Sequence, residues 1–148
     1  VRREYLAVAH GAIDAGLVVD KPIGRDPRHR TRMAVTRSGR EARTAIRVVE
    51  RFGHATLIEC ALETGRTHQI RVHLRALGHP LVGDTTYGGQ RSVGVTDRCS
   101  IARQALHATR LGLLHPDTHT PQAWHSPLPA DMAALVECLR AVAGKAAR

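Results

Sequence analysis

The sequence is poor in aromatic residues, short of acids and without paired cysteines, and each shortage closes off a class of function. Phe, Trp and Tyr make up only 3% of the 148 residues. The core must therefore come from Val, Leu, Ile and Ala, and single-stranded nucleic acid cannot be gripped by repeated base stacking. No apolar run reaches the roughly 18 residues that span a bilayer, and "VRREYLAVAH" holds no apolar signal segment. A cytoplasmic protein with no membrane partner is expected. Cys60, Cys99 and Cys138 are scattered and form no C-x-x-C, which suits a reducing compartment; each is expected to be a small buried apolar residue, with no structural disulfide. Ten histidines invite a zinc reading, but H-E-x-x-H is missing. His68 and His73 would diverge on a helix, and His115, His119 and His125 sit in a Pro-containing hairpin, so no metal is expected. G-x-S-x-G is also absent, and Ser38, Ser92, Ser100 and Ser126 lack the strained turn of a hydrolase nucleophile.

What the chain has in excess is positive charge. Lys and Arg number 22 against 13 acids, a formal +9 with a sequence pI near 10.9. That balance points to a polyanion, most often nucleic acid, unless the background is simply Arg-rich. Arg25, Arg28, Arg30, Arg32, Arg37, Arg40, Arg43, Arg47 and Arg51 crowd one segment with few acids, which reads as a local stripe. With 43% hydrophobic residues and no linker or repeat, residues 1–148 form one folded domain.

Periodicity gives the elements. "YLAVAHG" and "GLVVDKPIG" read as strands joined by a turn from Gly11 to Gly16, and Pro22, Gly24 and Pro27 predict a loop through "KPIGRDPRHR". "RMAV" is a short strand. In "EARTAIRVVERFG", alternation puts Ile46, Val48 and Phe52 on one face and Arg47 and Arg51 on the other. "HATLIECALE" follows a turn and completes a hairpin. Residues 90–104 carry little pattern and are expected to be mobile. "QALHATRLGLLHP" and "TPQAWHSP" predict a second hairpin, and "LPADMAALVECLRAVAG" a helix with Met132, Leu135, Val136 and Leu139 as its apolar stripe. The order β-β-β-β-β-α-β-β-α implies an α+β domain, a mixed and largely antiparallel sheet with a few packing helices.

The remaining helix lies within "LETGRTHQIRVHLRALG". Thr67 is its expected N-cap, Ile70, Leu74 and Leu77 its buried stripe, and Gly78 its C′ residue, followed by Pro80. His68, Arg71 and Arg75 recur on one side, although a helix start carries partial positive charge and favours acids by about 0.3–1 kcal/mol. A solvated basic face would tolerate that small cost. An anion at the helix start, phosphate or carboxylate, would remove it.

"LETGRTHQIRVHLRALGHPLVGDTTYGG" resembles the most characteristic motif of the large-subunit ribosomal-RNA-type pseudouridine synthases. "REYLAVAHG" is similar to that family's strand around its active-site tyrosine, "KPIGRDPRHRTRMAV" to its downstream loop, and "ALHATRLGLLHPDT" with "SPLP" to its final strand. The resemblance runs from Val1 to about Leu139. It implies a pseudouridine synthase-like catalytic domain that isomerises uridine in structured RNA, ribosomal RNA before tRNA, as a monomer without cofactor or metal. The family carries its nucleophilic aspartate in a His-Arg-Leu-Asp segment upstream of the tyrosine strand. No such segment occurs here, and Asp14, Asp20, Asp26, Asp84, Asp97, Asp117 and Asp131 all lack that context. The expectation is a partial catalytic domain, incomplete at its N-terminus, that binds RNA and is inactive alone; a degenerate synthase serving as an RNA-binding module is the alternative.

The resemblance also implies roles. Arg71 would pair with the aspartate, with Arg66 as second choice or as a phosphate ligand; without the aspartate, Arg71 is expected to be unpaired. Tyr5 would stack on the extruded uracil and relay the proton leaving C5. His68 and Gln69 would position the loop or the RNA, Leu111 would help wall the pocket, and Arg25 and Arg30 would neutralise phosphates.

Overall fold

The computed structural model describes residues 2–89, 95 and 99–146. Eight strands are found among them: β1 (Arg2–His10), β2 (Leu17–Asp20), β3 (Ile23–Arg25), β4 (Met33–Val35), β5 (Arg43–Arg51), β6 (Ala55–Leu62), β7 (Leu106–Leu114) and β8 (Pro121–His125). Helix α1 (Gln69–Ala76) lies between β6 and β7, and α2 (Ala130–Ala146) follows β8. The six-stranded sheet has the order β2-β5-β6-β1-β7-β8, with every pairing antiparallel. The fold is α+β, and both expected hairpins, β5–β6 and β7–β8, are present.

Strand β1 sits inside the sheet, between β6 and β7, so its small residues meet packing on both faces. Val8 belongs to one core cluster, with Leu57, Val82, Ile101 and the α2 residues Met132, Leu135, Val136 and Leu139. Ala7 and Ala9 belong to the other, with Ile46, Ile58, Cys60 and the α1 residues Ile70 and Leu74. Each helix thus covers one face with the stripe its periodicity predicts.

Alternation fails at one point in β5. The register with β6 shifts between Val48 and Glu50, leaving Val49 as the extra residue of a bulge and rotating the strand beyond it. Ile46 and Val48 consequently pack with the α1-side cluster, while Phe52 packs with the α2-side cluster. The arginines separate as well. Arg47 pairs with Glu59 across the sheet at 2.9 Å, whereas Arg51 donates to the carbonyl oxygens of Ile13 and Asp14. Arg47 and Arg51, expected on one face of β5, are therefore placed on opposite faces.

Three further expectations are corrected. The loop through "KPIGRDPRHR" begins as strand β3, which pairs with β4 in a separate two-stranded sheet. Of residues 90–104, the segments 90–94 and 96–98 lie outside the described residues, but Cys99 and Ile101 are buried in the core. Cys99 is joined by a disulfide to Cys138 of α2, their Cα atoms 5.7 Å apart. Scattered positions in the sequence had concealed that proximity. Cys60 alone behaves as expected: buried and unpaired, its thiol is pushed up to about 12 by burial, with Glu59 adding to the effect.

Candidate active site

The start of α1 is built by side chains from other elements. The N-cap is His68, one residue beyond the expected Thr67, and it holds the left-handed conformation at φ 56° with no side-chain capping bond. Gln69 is buried and fully engaged. Its Oε1 accepts from Thr64 Oγ1 (2.8 Å) and the Arg66 amide (3.0 Å), and its Nε2 donates to the Arg43 carbonyl (2.8 Å) and Thr44 Oγ1 (3.0 Å). Its polar atoms thereby fix the approach loop. The helix ends as its sequence predicts: Gly78, at φ 82°, donates to the Arg75 carbonyl and His79 to that of Leu74, both at 2.9 Å, a Schellman closure.

Arg71 is not unpaired. Its Nε and Nη2 donate to Asp84 Oδ2 and Oδ1 at 2.8 and 3.0 Å, the bidentate geometry that makes arginine–carboxylate pairs directional. Asp84 is 0% exposed. Burial would raise its pKa, but the bonds from Arg71 and from the Tyr87 and Thr86 amides override that and hold the carboxyl below the usual range. The Arg71 guanidinium also stacks 4.9 Å from the Tyr87 ring centre. The Tyr87 hydroxyl accepts from the Met33 amide at 3.0 Å and lies 2.8 Å from His68 Nδ1. Burial, then the Arg71 charge, lower the His68 pKa against the pull of Asp84, favouring a neutral ring that accepts the Tyr87 proton. "GDTTYG" thus clamps Arg71 from below and His68 from the side. Asp84 lacks the expected nucleophile context, and its part in the clamp had no signal in the sequence beyond its place in the resembling motif.

Arg71 and Tyr5 line the same cleft, of about 330 Å³. Arg66, His68 and Gln69 line it too, so five of the expected site residues are brought together. Arg66 is tethered through Nε to the Glu41 carbonyl at 2.8 Å. Tyr5 reaches the cleft from the middle of the sheet, opposite Cys60 on β6 and Ala108 on β7. The apolar wall is Leu62, Ile70 and Leu106. Leu111 is not part of it: opposite Arg3 and Trp124, it lines a separate depression on β7 and β8. Arg25 and Arg30 lie outside the cleft as well, joined by a 2.9 Å bond from Arg25 Nη1 to the Arg30 carbonyl in the exposed loop between β3 and β4. Arg75, one helical turn beyond Arg71, lines a groove against that loop and not the cleft. Among the described residues, no acid lines the cleft.

The family model for RNA pseudouridylate synthase matches residues 1–76, from β1 to the end of α1, a span containing both Tyr5 and Arg71. The chain belongs to the RNA pseudouridylate synthase family. It is 53% identical over 142 residues to ribosomal large subunit pseudouridine synthase D of Nitrosomonas europaea, covering 95% of this chain and 41% of that protein. The synthase of the same name from Escherichia coli K12 is 47% identical over 148 residues, covering 95% of this chain and 45% of the relative. Among solved structures, human RNA pseudouridylate synthase domain containing 1 superposes with a TM-score of 0.70 at 29% identity, over 95% of this chain and 66% of that one. The chain thus spans less than half the length of these bacterial relatives.

Proposed function

We propose that this chain supplies the tyrosine and arginine side of a uridine-to-pseudouridine isomerase acting on structured RNA, ribosomal RNA in preference to tRNA, as a cytoplasmic monomer without cofactor or metal. A uridine extruded from its helix, at a cost of a few kcal/mol, enters between Tyr5 and Arg71. The bond from C1′ to N1 breaks, the uracil turns, and a bond from C1′ to C5 forms. The proton on C5 leaves, relayed by Tyr5, and N1 is protonated in its place. An aspartate attacks the sugar or assists departure of the base. It must stay ionised in a site sheltered from water, which requires a fixed cation. Arg71 is that cation: Asp84 takes two of its N–H groups, and guanidinium has five donors in all, so others remain for the cleft side. His68 and Arg66 bind or orient the RNA, and Gln69 holds the loop that carries them.

One observation carries this reading: an arginine held by two hydrogen bonds to a buried carboxylate lines the same cleft as Tyr5. Among the described residues no acid lines that cleft, which favours a narrower role for the isolated chain, RNA binding without turnover. Two experiments test the pair of statements. The chain incubated with ribosomal RNA should create no pseudouridine when sites are mapped by carbodiimide-stalled reverse transcription; new sites would overturn its inactivity. In the Nitrosomonas europaea synthase, the matching 142-residue segment would be exchanged for this one. The chimera should modify ribosomal RNA, and Arg71→Ala or Tyr5→Ala should silence it. A folded but inactive chimera would sink the enzymatic reading.

A further inference from the structure

A second groove lies between α1 and the β3–β4 hairpin, with a volume of about 450 Å³. That is within the range of ligand-binding clefts, about 300–1,000 Å³. Its floor is apolar, from Met33 and Val72, and its rim carries Arg28, His29, Arg75 and the exposed Ala76. The one acid among the lining residues, Asp26, accepts from the Arg28 amide at 2.9 Å and stays ionised near Arg75, leaving the rim net cationic by one charge from two arginines. The groove is firmly supported: Met33 and Val72 pack with Ile23, Ala42 and Tyr87, and the Met33 amide donates to Tyr87. Tyr87 therefore underpins both the catalytic cleft and this groove.

We infer that the groove seats a second unstacked nucleotide of the same RNA strand, its base over Val72 and Met33 and its phosphate between Arg28 and Arg75. Three observations support this. The rim is cationic while the floor is apolar, which fits a base with its phosphate better than a paired helix, whose bases are already stacked. Arginine offers a guanidinium plane to a base as well as charge to a phosphate. Arg71 and Arg75 are four residues apart on one side of α1, about 6 Å along its axis, so a strand delivering one nucleotide to the cleft can place a near neighbour one helical turn further on. This inference rests on the RNA reading above and specifies how the strand is held.

The test compares the chain's affinity, by fluorescence anisotropy at low salt, for a labelled hairpin with an unpaired loop and a blunt duplex of equal length. Arg28→Ala/Arg75→Ala removes the charges, and Ala76→Trp fills the groove at an exposed position while leaving every charge in place. Both variants should bind the hairpin about tenfold more weakly, the loss of one stacked base, while losing less than about twofold on the duplex. Undiminished hairpin binding by Ala76→Trp, or equal losses on both RNAs, would overturn the groove and leave the RNA reading intact. Failure of the unmodified chain to bind either RNA would overturn both. A hairpin-selective loss in Ala76→Trp alone would place the base correctly and refute the phosphate contacts.

Discussion

Asp84, fully buried, faces Arg71 edge to edge across two hydrogen bonds of 2.8 and 3.0 Å. A buried carboxylate is costly unless its oxygens are satisfied, and here Arg71 is joined by the Thr86 and Tyr87 amides. The pair is weak ground for claiming net stability, but breaking it leaves an uncompensated charge. Asp84→Asn should therefore destabilise the protein by about 3 kcal/mol, the lower end for buried pairs because Arg71 retains some exposure. Urea denaturation would measure it, and a loss under about 1 kcal/mol would mean that water replaces the carboxylate cheaply. The pH sign follows from the lowered pKa of Asp84. Its contribution is present above the unfolded value of about 4 and is lost as pH falls below it.

His68 allows two small terms to be set against each other. Its left-handed backbone, φ 56°, costs a residue with a Cβ about 1–2 kcal/mol. The bond between its Nδ1 and the Tyr87 hydroxyl at 2.8 Å returns about 0.5–1.5 kcal/mol. His68→Gly loses the bond and the strain together and should be nearly neutral. His68→Ala loses the bond and keeps the strain, so it should be less stable than His68→Gly by about 1 kcal/mol. Thermal melts of the two variants decide it, and the reverse order would show that the backbone conformation is not strained.

The legible features of the sequence were those fixed by local periodicity. Met132, Leu135, Val136 and Leu139 recur on one helical face and are buried together; Gly78 ends α1 where its φ requires a glycine. What escaped depended on distance or on a single inserted residue. The bulge at Val49 has no composition signature, yet it sends Phe52 to one face and Arg51 to the other. Leu111 shares a strand with Leu106, but only Leu106 is placed at the cleft. The Arg71–Asp84 pair spans 13 residues and could be drawn only once the loop was seen to fold back under the helix.

His73 predicts a titration. Fully buried, its ring lies 2.8 Å from Thr44 Oγ1 at Nδ1 and 2.9 Å from the Lys21 carbonyl at Nε2. A carbonyl can only accept, so Nε2 carries the proton and Nδ1 accepts from Thr44, whose oxygen in turn accepts from Gln69. Burial lowers the His73 pKa, outweighing the Lys21 carbonyl bond. The stabilising effect of a neutral ring is complete above the unfolded value of about 6.5 and is lost as pH falls from there toward the folded value. Stability should drop by up to about 1.4 kcal/mol per pH unit in that window, and His73→Gln should flatten the slope there. Two-dimensional NMR showing a protonated His73 ring at pH 7 would contradict the assignment.

The Cys99–Cys138 disulfide ties the chain just before β7 to the middle of α2, across 39 residues. A loop of that length, closed in the unfolded chain, contributes about 4 kcal/mol in the chain-entropy model, and measured bridges commonly give 2–4. Both sulfurs sit with the cluster of Met132, Leu135 and Ile101, so an alanine pair would also remove packing. Reduction separates the two effects, because free thiols keep nearly the same volume. Urea midpoints with and without tris(2-carboxyethyl)phosphine should differ by about 2–4 kcal/mol of stability in the unmodified protein. They should coincide in Cys99→Ala/Cys138→Ala, which has no bridge left to reduce. Coincident midpoints in the unmodified protein, with two titratable thiols beside Cys60, would show that the cysteines are neighbours without a bond.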